Sequence, residues 1–142
     1  MAYICATIGS YIAILSGLSF LGVGLTPADL YFHEHVFFVI VGFRSMVPAM
    51  VFLTLAFFFS PVSNKYTVAS VLFLLSITIY AFFETSDPPD VSPRENLELF
   101  RETLSYNRMV ISVIAQKAIT LISFVSFFVF TYGFYQLSLI KK

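Results

Sequence analysis

The chain has 142 residues, of which 58% are hydrophobic and only 11% charged, and its mean hydropathy is +0.89. A soluble domain carries roughly a quarter charged residues, so this chain lacks the polar surface to sit in water. Eight Lys and Arg balance eight Asp and Glu, which leaves no net field to recruit nucleic acid. These bounds point to an all-α integral membrane protein: a four-helix bundle forming a single transmembrane domain.

Four stretches reach the ~20 apolar residues that cross a hydrocarbon core of ~30 Å: about 3–25, 36–59, 67–84 and 110–140. No basic residue precedes the first, so it is expected to stay as a membrane helix rather than be removed as a signal peptide. Within it Gly9, Ala13 and Gly17 recur at every fourth position, and Ser45 and Ala49 repeat that spacing in span two. Lipid is as apolar as leucine and gives helices no hydrophobic reason to associate, so small residues that admit a neighbouring backbone are the expected packing seam. Cys5, the only cysteine, cannot close an intrachain disulfide and is expected to pack as a small apolar side chain.

The first connector offers Thr26 as an N-cap, Pro27 at the first helical position and Asp29 at the third, so helix two is expected to begin before it enters the membrane. Asp29 and His33 then share a face at i, i+4, while His33 and His35 point apart. With Glu34 they form a candidate ligand-binding or pH-sensitive cluster. The plainer alternative is interfacial hydrogen bonding. A metal would need further ligands from another connector, such as Asp87 or Asp90, and none is assigned.

Arg44 is the residue that composition does not explain. Nine residues past His35, it lies roughly 13 Å into the span, at a depth where charge is costly. Pro48, four residues on, lacks the N–H that would bond the Arg44 carbonyl, and its ring displaces that carbonyl, so a kinked, polar spot is expected. Either Arg44 pairs inside the bundle and fixes the placement of its helix, or it faces a cavity and contacts an anionic group. Its candidate partners are Glu84, closing span three, and Gln116 and Lys117 in span four. If the core of span four begins at 110, Lys117 is as deep as Arg44, and two cations with one carboxylate suit a phosphate or carboxylate ligand. If it begins at 118, Lys117 is interfacial and an Arg44–Glu84 pair remains.

The short "SPVSNKY" turn makes spans two and three antiparallel neighbours. The loop over 85–108 is non-helical through Asp87-Pro88-Pro89-Asp90. Ser92-Pro93-Arg94-Glu95 then reads as a capping box opening a helix. Leu97, Phe100 and Leu104 give that helix an apolar stripe, so it lies on the membrane or runs continuously into span four. Tyr3, Tyr31, Tyr66, Tyr106 and Tyr135 fall near span ends, where amphipathic rings form an interfacial belt. Lys65, Lys141 and Lys142 match Arg94, Arg101 and Arg108 in number, and the termini are expected on the cytoplasmic side.

"GVGLTPADLYFHEHVFF" and "VISVIAQKAI" resemble segments of the DRAM/Frag-like family of small multi-span membrane proteins, over about 15–60 and 108–125. The resemblance implies a non-enzymatic bundle associated with lipid organisation or membrane signalling, and by motif match it points to Pro27, Asp29, His35 and Lys117. Members of that family usually have more spans, so this chain would be a shortened relative or half of a split arrangement. Independently of the resemblance, the sequence holds no GxSxG, HExxH, P-loop or dinucleotide motif, and no catalytic residue or cofactor is assigned. Two functions follow. One is a structural or accessory subunit, partnered by other membrane subunits or by its own copies. The other is a protein that binds lipid headgroups or anions through Arg44 and Lys117. A channel or transporter would want broken helices or an internal repeat.

Overall fold

The four apolar stretches become four long helices in a computed structural model, which describes residues 1–83, 91–103 and 106–140. Helices α1 (Ala2–Leu25), α2 (Phe32–Phe58), α3 (Asn64–Phe83) and α5 (Tyr106–Ile140) are the expected spans, and the short α4 (Leu97–Thr103) precedes the last. Each of the four long helices contains a run long and apolar enough to cross a membrane. No strand occurs among the described residues.

The long helices pack as a row in chain order, α1 on α2, α2 on α3 and α3 on α5. Where α1 meets α2, the backbones come close. A Cβ on Gly9 would lie 2.9 Å from the Leu53 side chain and 3.1 Å from the Ala49 carbonyl oxygen. The buried residues of α1 are Cys5, Gly9, Ser16, Ser19 and Gly22. This corrects the expected i+4 stripe: a Cβ on Gly17 would meet nothing within 4 Å, and Ala13 sits at the edge of the interface. The reason is geometric. Each i+4 step advances 40° around a 3.6-residue helix, so Gly17 has rotated away from a seam that steps by four and then three, as 5, 9, 12, 16, 19 do. The Ser16 hydroxyl donates to the Gly42 carbonyl across the interface, 2.7 Å away. On α2, Ala49 is buried as expected, whereas the half-buried Ser45 hydroxyl turns back to the Gly42 carbonyl of its own helix at 3.2 Å.

At the opposite end of α2 from its connector with α1, Phe57 joins three helices. Its ring lies 4.7 Å from Phe134, 5.9 Å from Phe130 and 6.0 Å from Tyr66. Gly133 of α5 permits this approach, since a Cβ there would come within 2.8 Å of the Phe57 ring. Tyr66 is therefore a core residue, only 5% exposed, and not part of the interfacial belt, whereas Tyr3 and Tyr135 are 69% and 56% exposed.

Two helix starts differ from those expected. Thr26 ends α1 rather than opening α2: its backbone N–H and its hydroxyl both bond the Gly22 carbonyl. Pro27 then begins a turn, accepting the Leu30 and Tyr31 amides, and α2 starts at Phe32. A proline just past a helix end is common because it cannot continue the helix. Pro48 lies inside α2, which stays helical on both sides of it. The Ser92–Glu95 capping box forms, with Ser92 N–H donating to Glu95 Oε2 at 2.9 Å and Glu95 N–H to Ser92 Oγ at 3.1 Å. It closes a turn, however, and Asn96 caps α4 by accepting the Leu99 amide. A helix starting at residue 93 is thus replaced by one starting at Leu97. The stripe of α4 is partly realised, as Phe100 sets its ring edge-on to Phe32 of α2 at 6.0 Å while Leu97 is exposed. Leu104 lies outside the described residues.

Candidate functional site

A row of four helices has two ends. No extended contact joins α1 to α5, and between them lies a cleft of about 610 Å³ to which all four spans contribute. Ala13 and Phe20 of α1 face Phe124, Phe127 and Phe130 of α5, and Phe43, Met46 and Leu53 of α2 with Phe73 of α3 form its floor. The lining is almost wholly apolar. Its two hydroxyls, Thr120 and Ser123, donate to the carbonyls of Gln116 and Ile119 one turn back at 2.7 Å each, so neither has a proton left to donate into the cleft. A volume of this size suits a small-molecule ligand. Phe124 and Phe127 are 63% and 65% exposed, so the cleft opens sideways, toward acyl chains in a membrane.

The lining of the cleft begins on α5 at Thr120 and includes neither Gln116 nor Lys117. On α5, Gln116, Thr120, Ser123 and Phe127 fall at i, i+4, i+7 and i+11, one stripe of the helix. Lys117 sits beside Gln116 on the edge of that stripe, one turn before Thr120. Both side chains are exposed, and no carboxylate pairs with Lys117 among the described residues. Arg44 is placed differently. It is exposed on α2 and is not without a partner, but its neighbours Phe43 and Met46 line the cleft and it does not. Neither Arg44 nor Lys117 lines the cleft, and the expected layer of Arg44, Glu84 and Lys117 falls in part on a residue that is not described. Glu84 lies outside the described residues, as do Asp87 and Asp90.

Of the cluster on the first connector, Asp29, His33 and Glu34 gather with Arg94 and Glu95 around a second pocket of about 320 Å³. His33 Nε2 stands 3.8 Å from Glu95 Oε2, with both side chains mostly exposed. His35 departs from the group: its Nδ1 lies 2.6 Å from the Thr26 carbonyl, where it satisfies an orphan acceptor at the end of α1. Among the described residues no three His, Cys, Asp or Glu side chains converge to hold a metal. Glu95 was legible only as a capping residue, and nothing in sequence spacing marks it as a neighbour of His33.

The Ser92 backbone N–H, then the Ser92 hydroxyl, hold the Glu95 carboxyl below its ordinary value; burial opposes them, and the His33 charge adds the least. A depressed carboxyl favours the folded turn above its ordinary value and stops doing so as pH falls through the depressed one. Hydrogen-exchange protection of the Ser92 and Glu95 amides should therefore persist at neutral pH and fade below the ordinary value of 4.5. Glu95→Gln should abolish that dependence. Protection unchanged into acid would show that the carboxylate does not hold the turn.

No protein-family model, curated protein or solved structure matches the chain.

Proposed function

We propose that this protein is a non-enzymatic, multi-pass membrane protein that holds a lipid chain in the cleft between α1 and α5. The observation that carries the reading is the cleft itself: about 610 Å³, bounded by all four spans and apolar over nearly its whole wall. In a bilayer such a space is lined by groups that lose dispersion contacts if it stands empty. Its sideways opening puts acyl chains, not water, at the entrance. What the resemblance to the DRAM/Frag-like family implies, a bundle tied to lipid organisation, agrees with this. A structural subunit would use the same side of the molecule differently, by inserting a partner's helix between α1 and α5.

Purification in mild detergent followed by native mass spectrometry separates these readings. The wild-type chain should carry about one lipid per copy, and Ala13→Phe, which fills the cleft from α1, should lose that lipid while keeping its helicity. A stoichiometric protein partner in place of lipid would favour the subunit reading. Lipid retained by Ala13→Phe would sink the cleft as the binding site.

A further inference from the structure

We infer that a second pocket, between α3 and α5 where α3 begins, is a headgroup site for a net anionic lipid, with Lys65 as its ion-pairing residue. This goes beyond the cleft reading and does not rest on it. The pocket holds about 450 Å³ and is lined by Lys65, Tyr66, Phe128, Val129 and Tyr132.

Charge is divided between the two ends of the bundle. The eight Asp and Glu are Asp29 and Glu34, around the connector from α1 to α2, and six between Glu84 and Glu102, after α3. The antiparallel α2 and α3 begin and end on that side, where Phe100 packs on Phe32. At the other end α2 closes at Phe58 and α3 opens at Asn64. The sequence of that end has no Asp or Glu; its charged side chains are Lys65 and, after α5, Lys141 and Lys142. From Lys65 to Phe83, the last residue of α3, is about 27 Å of helix, most of the ~30 Å depth of a hydrocarbon core.

Lys65 is held over the pocket. Its Nζ stands 5.2 Å from the centre of the Tyr66 ring, a cation–π contact. Tyr66 itself is fixed, 5% exposed and stacked on Phe57. The Tyr132 ring lies 6.4 Å from that of Tyr66. Because α5 runs toward this end, Phe128 lies one turn deeper than Tyr132, about 6 Å along the axis. The pocket is therefore cationic and phenolic at its mouth and apolar below, the profile of an amphiphile standing upright. A headgroup phosphate accepts a charge-assisted bond from the ammonium, phenolic rings settle at headgroup level, and Phe128 and Val129 meet the start of the acyl chain. A zwitterionic headgroup brings a further cation to an end that has no side-chain carboxylate, whereas a net anionic one does not.

The test is a titration of the delipidated full-length chain with phosphatidylglycerol and with phosphatidylcholine of identical acyl chains, read by native mass spectrometry. It is run on wild type and on Ala13→Phe, so that lipid in the cleft is told apart from lipid here. Both should prefer phosphatidylglycerol by about fivefold. Lys65→Gln should bring the two lipids within about twofold of each other, and Lys65→Arg should keep the preference. Lys141→Gln with Lys142→Gln should leave it in place. No preference in wild type, a preference that survives Lys65→Gln, or one lost with Lys141 and Lys142 overturns the site. The difference in total lipid between wild type and Ala13→Phe reports on the cleft separately, so either reading can fail alone.

Discussion

Gly9→Leu should force α1 away from α2 and destabilise the bundle by about 3 kcal/mol, the upper part of the range for overpacking a filled interface. The Leu53 side chain can yield to a single added carbon, but the Ala49 carbonyl, 3.1 Å from where a Cβ would sit, is backbone and cannot. Three further carbons have no space unless the helices part. Reversible unfolding in mixed detergent, followed by circular dichroism, measures the cost. Gly17→Leu is the matched comparison, because it adds the same side chain to the same helix where nothing lies within 4 Å. It should change stability by no more than about 0.5 kcal/mol. Similar losses in the two variants would mean that the seam does not follow the phase described above.

Phe57→Ala should be nearly as damaging and should act on a different pair of helices. The ring is 2% exposed and stands against Tyr66 of α3 and Phe130 and Phe134 of α5. In water-soluble cores such a truncation costs about 3–5 kcal/mol, partly for transfer and partly for the cavity left behind. In a bilayer the transfer part largely vanishes, since the alternative surroundings are apolar too. A loss of roughly 2–3 kcal/mol is expected from the cavity and the lost ring contacts. Because α5 meets α2 at this cluster, a spin-label pair on α2 and α5 should also broaden its distance distribution in the variant. A pair on α1 and α2 should not. Broadening in both pairs would show that the row does not divide in this way.

The spans were legible because crossing a bilayer imposes a length and an apolar composition that few other constraints compete with. Their ends were less so. Thr26, Pro27 and Asp29 carry the residue types of a helix start, yet the same threonine can bond backward to Gly22, and that local choice is invisible in residue types alone. The Ser92–Glu95 box was readable because both partners lie within three residues. The Gly9 contact was found and Gly17 misplaced for one reason: a fixed four-residue spacing was followed where the helices use alternating steps of four and three. Arg44 stood out by its cost, but which side of α2 faces the cleft depends on where α1 and α5 sit. Gln116 and Lys117 were visible as polar residues in a span, whereas the apolar wall of the cleft, which includes neither, is built from four helices and has no linear signature.

The bond from Ser16 to the Gly42 carbonyl bears on how the first two helices are aligned. Sliding α1 by one residue would move that hydroxyl about 1.5 Å along the axis and 100° around it, out of reach of its acceptor. Hydrocarbon holds no water to take the acceptor's place. α1 and α2 thus share an alignment mark of their own, one that depends on neither α3 nor α5.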